Sequence, residues 1–219
     1  LQKLWFYGNQ IESIDLSKNT ELLDLDCGNN PLTSLDVSQN TKLTEMYCYN
    51  AAQLTALDVS NKPNLTTLQC FSNSLASLNI SGDTALETLD CRQNNLTSLD
   101  IGDSSKLTDL SCSANGITEL EDLSRNTQLQ KLYCANNSLT TLDVSNNLDI
   151  TSLDCGSNKL TTLEIKANTK LDYLRCVYNK LTSLDVSSNT ALQSLYTSHN
   201  PNLKSLDVSK NPDLINLVC

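Results

Sequence analysis

The sequence has one histidine, one methionine and one tryptophan in 219 residues, and its 15 Lys and Arg are outnumbered by 25 Asp and Glu. Nothing in it approaches the run of roughly eighteen apolar residues that a membrane span needs, which excludes direct membrane insertion by a helix. The net charge of −10 comes without any cluster of Lys and Arg. Phosphate backbones and anionic lipid attract proteins through such clusters, so nucleic acid and the membrane surface are excluded as partners. The opening residues, from Leu1, show neither the charged nor the apolar region of a signal peptide, and so leave export undecided. Nine cysteines are present, yet no two stand in the C-x-x-C spacing of a zinc knuckle.

What is there is self-similarity. Leu22, Leu43, Leu65, Leu86, Leu107, Leu129, Ile150, Leu171, Leu192 and Leu214 follow one another at steps of 21 or 22 residues, and the first copy starts at Leu1. Each copy approximates L-x-x-L-x-C-x-x-N-x-L-T-x-L-D-V-S-x-N-T-x. No linker interrupts the period, so residues 1–219 read as a single domain of about ten coils. With a coil open at each end, the chain reads as a fragment of a longer one. Within a copy the pairs Leu174 with Cys176 and Leu184 with Val186 have the i, i+2 spacing of an extended segment with both side chains on one face. One coil cannot bury its own leucines. Stacking coils at about 4.8 Å turns each position into a ladder. The expectation is a solenoid with a parallel sheet on the concave side, short extended segments and turns on the convex side, and little helix.

Two polar columns run with the leucines. Asn9, Asn30, Asn73, Asn94, Asn115, Asn137, Asn158, Asn179 and Asn200 fall at a turn, where an inward amide can satisfy backbone groups of its own and the adjacent coil. Asp15, Asp36, Asp58, Asp100, Asp143, Asp185 and Asp207 follow the Leu, or Ile14 in the first coil, of the second extended segment. Such a row is either a set of local turn caps or a calcium-binding array. The capping reading needs no ion, and the sequence calls for no cofactor.

The cysteines Cys27, Cys48, Cys70, Cys91, Cys112, Cys134, Cys155, Cys176 and Cys219 share one inward column. Neighbours in a parallel ladder would have parallel Cα–Cβ vectors, which holds their Cβ atoms near the strand spacing rather than at about 3.8 Å. A bridge would be strained. Buried free thiols behave as small hydrophobes, so a reduced ladder is expected.

The pattern N-x-L-T-x-L-D-V-S-x-N-T-x-L-x-x-L-x-C, approximated from Asn158 to Cys176, resembles the 21-residue cysteine-ladder leucine-rich repeats of internalin J-like bacterial surface proteins. The resemblance covers nearly the whole chain, departing at Phe6 and Thr197, which stand in the cysteine column. It implies a leucine-rich-repeat solenoid from a secreted or cell-surface bacterial protein. It also implies an adhesin-like binding role, with a protein or carbohydrate ligand on a host or neighbouring cell.

The residues themselves point to the same face. Trp5, Tyr7, Tyr47, Tyr49, Phe71, Tyr133, Tyr173, Tyr178 and Tyr196 are expected to project outward around the first segment of their coils, and only Phe6 inward. The outward positions of the second segment hold Asp, Ser and Thr instead. Tyrosine suits any exposed strand, but the asymmetry favours a binding surface, where rigid amphipathic rings supply contact area. The candidate ligand-binding set is these nine residues with Arg175. Gly28, between Tyr7 and Tyr49 in one row, is expected to leave a recess between rings. An enzyme is disfavoured: His199 is the only histidine, and a regular ladder forms no pocket where unlike groups converge. The alternative is a passive spacer holding other modules away from the cell surface.

Overall fold

In the computed structural model, which describes residues 1–120 and 123–219, the repeat folds into stacked coils. Eleven short strands form one parallel sheet: β1 (Lys3–Trp5), β2 (Asp24–Asp26), β3 (Glu45–Tyr47), β5 (Thr67–Gln69), β7 (Thr88–Asp90), β8 (Asp109–Ser111), β9 (Lys131–Tyr133), β10 (Ser152–Asp154), β11 (Tyr173–Arg175), β12 (Ser194–Tyr196) and β13 (Asn216–Val218). On the convex side β4 (Ala56–Asp58) pairs with β6 (Ser77–Asn79). The register advances by one repeat per strand, so that Leu4, Leu25, Met46 and Leu68 lie side by side, and so on to Leu217. The central residue of each strand points into the core and its two neighbours point outward, as strand geometry requires.

The ladder runs past the assigned strands. Cys27 N donates to Tyr47 O and Asn29 N to Tyr49 O, each at 2.8 Å. The next step is a sharp turn. Asn29, Asn50, Ser72, Gln93, Ala114, Asn136, Ser157, Tyr178 and His199 all sit in the left-handed region with φ between 52° and 61°. That conformation costs a non-glycine residue about 1–2 kcal/mol. In every one of these turns but that of Asn50, which Ala51 follows, the next residue is an asparagine that holds it. Asn94 Nδ2 donates to Cys70 O and Cys91 O at 3.0 Å each, and its Oδ1 accepts Leu75 N at 3.0 Å. Asn30, Asn115, Asn137, Asn158 and Asn179 make the same set. Each amide therefore joins its own coil to the preceding one.

The core is a stack of wholly buried Leu, Ile and Val with eight of the nine cysteines, and Phe6 packs against its edge. Cys27 to Cys176 are free and buried, while Cys219 is exposed. Burial pushes the thiols of Cys27, Cys112 and Cys176 up to about 12 and those of Cys48, Cys70, Cys91, Cys134 and Cys155 well above the ordinary value.

The convex segments are extended, but among the described residues they pair as strands only at β4–β6 and at the bridge Asp143–Glu164. Paired or not, these segments cap their own turns, as Asp58 does with Ser60 N in β4. Asp15, Asp36, Asp143, Asp185 and Asp207 accept the N–H of the Ser two residues on at 2.8–3.0 Å. These bonds are the local caps; the same serines' hydroxyls and N–H groups together hold Asp15, Asp36 and Asp207 below the usual carboxylate range, and with Lys166 hold Asp185 at about 2. Among the described residues no three His, Cys, Asp or Glu side chains converge as a metal set. Among the described residues the one helical element is a single 3-10 turn at Leu123–Arg125, in a coil of 22 residues.

A second asparagine column ties the convex turns. Asn147 Nδ2 donates to Leu123 O and Asn126 O, and Asn168, Asn189 and Asn211 repeat the pattern. In three adjacent coils this column is broken by Lys62, Asp83 and Ser104, all buried. Asp83 Oδ1 accepts Lys62 N at 2.8 Å, as an asparagine oxygen could, but its Oδ2 has no partner. Lys62 Nζ reaches only Ser60 O, at 3.4 Å. Burial raises the Asp83 carboxyl to about 7 and lowers the Lys62 ammonium.

Candidate functional site

The sheet presents three outward rows. The first strand position carries Tyr173. The third carries Trp5, Tyr47, Tyr133, Arg175 and Tyr196. Two residues further along each coil lie Tyr7, Tyr49 and Phe71, ahead of the turn. Tyr178 departs from the expectation: with φ 52° it occupies the left-handed turn column rather than the strand. There it stacks on His199 of the next coil, with ring centroids 4.0 Å apart. The histidine set aside by sequence reasoning is thus half of an exposed ring pair.

The rings form two groups, with Tyr133 between them, its hydroxyl 3.2 Å from Ser152 Oγ. In the N-terminal group Tyr49 and Phe71 are parallel, 4.9 Å apart and 2° from coplanar orientation. Arg92 covers Phe71 at 5.0 Å, extending the stack by one coil. Trp5 is 59% exposed, and Lys3 Nζ lies 5.5 Å from its ring while pairing with Asp24 at 3.3 Å. Tyr47 donates its hydroxyl to Glu45 at 2.9 Å. Burial first, and then that hydrogen bond, push the Tyr47 phenol up to about 12. In the C-terminal group Tyr173 and Tyr196 meet at 5.7 Å and 46°. Arg175 Nη1 sits 3.3 Å from Asp154.

The recess expected at Gly28 is filled. A Cβ there would come within 2.7 Å of the Tyr49 ring, because the phenol leans back and lies flat over the glycine. Gly28 does not leave an opening between Tyr7 and Tyr49; it lets the Tyr49–Phe71 stack lie against the sheet. Gly156 plays the matching part in the other group, where Arg175 Nη1 stands 2.7 Å from where a Cβ would be.

Sequence reasoning missed Lys3, Asp26, Arg92 and Asp154. For Arg92 the signal was available in the row beginning Tyr7, Gly28, Tyr49, Phe71, Arg92, which is legible once positions are compared coil by coil. The largest concavities lie elsewhere, in convex clefts of about 640 Å³ around Asp36 and Asp58 and about 490 Å³ around Leu120 and Glu164. The first is lined mainly by Ser, Thr and Asp, with Asp36 and Asp58 already spent on caps to Ser38 and Ser60. The concave rows therefore hold the better candidate surface.

No family model and no curated protein sequence matches the chain. Solved structures do. The functional domain of InlJ from Listeria monocytogenes, which includes a cysteine ladder, is 39% identical with a TM-score of 0.90, over 100% of this chain and 54% of that one. The chain thus spans about half the length of that structure. A leucine-rich-repeat protein of Leptospira interrogans matches at 22% identity and a TM-score of 0.73, over 99% of this chain and 66% of that one. YopM from Yersinia enterocolitica matches at 23% and 0.75, over 91% and 42%. The last two show the fold alone.

Proposed function

Because the chain is a cysteine-ladder leucine-rich-repeat solenoid similar to that of InlJ, we propose that it is a binding module of a bacterial secreted or cell-surface protein. Its role is adhesin-like: the concave face recognises a ligand carried by a host or neighbouring cell, a protein in preference to a carbohydrate. The observation that carries this reading is the segregation of aromatic side chains. Nine of the ten stand outward on the sheet or its turn, whereas the convex outward positions carry none and are mostly Asp, Ser and Thr. Half-exposed rings held by a rigid sheet give contact area at little cost in conformational entropy. The flat, open concave face suits a protein surface better than a catalytic pocket, which supports reading the chain as a binder and not an enzyme.

The test is an array of protein receptors and glycans probed with the purified chain. Tyr47→Ala and Tyr49→Ala are each expected to weaken the ligand found by about 2 kcal/mol or more. Asp143→Ala, on the convex side, is expected to leave affinity nearly unchanged. Equal losses from both faces, or none from either, would refute a concave site and favour the passive spacer.

A further inference from the structure

The third strand position contains three aspartates, and two of them are matched by the chain's own arginines. Asp90 pairs with Arg92 at 3.3 Å, and that guanidinium also covers the Phe71 ring at 5.0 Å. Asp154 pairs with Arg175, whose Nη1 lies 3.3 Å and 3.4 Å from the two carboxylate oxygens. Asp154 is flanked in register by Tyr133 on one side and Arg175 on the other.

Asp26 is the exception. Its Oδ1 accepts Gly28 N at 3.1 Å, as Asp154 Oδ1 accepts Gly156 N at 3.0 Å, so the two carboxylates are set on the sheet in the same way. Among the described residues, however, Asp26 forms no ion pair. Its register neighbours are Trp5 on β1 and Tyr47 on β3. The two rings are rooted two strand spacings apart, roughly 9.6 Å, with the carboxylate between them. The first strand position adds Asp24 and Glu45 against Lys3, so three carboxylates face one ammonium here. Lys3 is already committed to Asp24. Tyr49 occupies the space over Gly28 that Arg175 takes over Gly156, so no side chain of this chain can fill the gap by that route.

We propose that Asp26, Trp5 and Tyr47 form a receptor for an arginine side chain of the protein ligand, supplying from outside the guanidinium that Arg92 and Arg175 supply from within. The inference rests on the concave-face reading and gives its N-terminal half a partner chemistry. A guanidinium is planar, pairs with a carboxylate through two N–H groups and stacks on aromatic faces, and a carboxylate between two rings meets all three properties.

The probe is the peptide acetyl-Gly-Arg-Gly-amide, titrated against the 15N-labelled chain. Trp5 is the only tryptophan, so its single indole N–H signal reports the site directly, even for millimolar binding. A saturable shift is expected with the arginine peptide, and none with its neutral citrulline counterpart. Asp26→Asn keeps an acceptor for Gly28 N, and the backbone spectrum checks that it folds. It should weaken the arginine peptide at least about fivefold, the size of one charge-assisted contact at a partly exposed site. Equal response to citrulline, an unchanged affinity in Asp26→Asn, or no saturable shift would overturn the proposal. The same variant is then tried against the array ligand. Binding that needs Tyr47 but not Asp26 would sink the arginine receptor and leave the concave site standing, whereas indifference to Tyr47 and Tyr49 would remove the concave site itself.

Discussion

Replacing Asp83 with asparagine should stabilise the solenoid at neutral pH and above, and change little in acid. Where the convex column holds asparagine, the N–H₂ donates to two carbonyls of the preceding coil, as Asn147 does to Leu123 O and Asn126 O, and the oxygen has no partner. Asp83 turns one oxygen to Lys62 N but has a buried, unpartnered Oδ2 and no N–H₂ to donate. Only its protonated form can donate there. Burial accordingly raises the carboxyl from 3.8 to about 7. Since the native state holds the proton more tightly than the unfolded chain, the contribution is fully present below pH 3.8. It declines as pH rises to about 7, and is constant beyond. Each pH unit in that window is worth about 1.4 kcal/mol, which makes about 4 kcal/mol an upper bound. Removing the carboxylate also deprives the buried Lys62 ammonium of a favourable charge. A net gain of about 2 kcal/mol at pH 8, shrinking to near zero at about pH 4, is therefore expected for Asp83→Asn. Urea unfolding at several pH values measures it. A gain independent of pH, or a loss at pH 8, would refute the reasoning.

Ellman's reagent should label Cys219 promptly in the native chain and the other eight thiols only after denaturation, through pH 9, because burial pushes Cys27, Cys112 and Cys176 up to about 12 and the other five well above the ordinary thiol value. Early labelling of several thiols would show that the coils open. Asn158→Ala leaves Leu139 N without its partner inside the stack and removes one of the two amide donors on each of the carbonyls of Cys134 and Cys155, which keep Asn137 and Asn179, and should cost about 1–3 kcal/mol in urea unfolding. A cost within error would mean that water replaces the amide. Gly28→Ala places a methyl against the Tyr49 ring, so the ring must swing away from Phe71. Near-ultraviolet circular dichroism should change while stability falls by no more than about 1 kcal/mol, since a side chain and not the backbone yields.

The architecture was legible because every coil repeats its instructions: Leu, Cys and Asn positions recur at 21 or 22 residues, and each has one physical meaning wherever it occurs. The left-handed turn column was not, because Asn29, Gln93, Ala114 and His199 share no chemistry. In all of these turns but that of Asn50 the neighbouring asparagine enforces the conformation, and the residue itself gives no sign of it. The candidate site divides in the same way. Which rings face outward follows from strand alternation, but where each ring leans depends on its neighbours. Tyr49 covers Gly28 and Arg175 covers Gly156 because a missing side chain one coil earlier leaves room, a relation between coils that no single repeat displays. Tyr178 was misplaced for the first reason, and Asp26 passed unnoticed for the second.

The amide of each turn asparagine spends its hydrogen bonds on the coil before it as well as its own, so any coil of regular length can follow any other without leaving a turn unsatisfied. Evolution can then edit the chain by whole coils, and such edits rewrite the binding face by changing which outward residues are adjacent. Loss of residues 65–85 would remove Phe71 and Asp83 together. Tyr49 would move next to Arg92, converting a ring-on-ring stack into a ring under a guanidinium, and Lys62 would face Ser104 in place of a buried carboxyl. One recombination event would thus alter surface chemistry and pH tolerance at once, with the core ladder of leucine and cysteine unbroken.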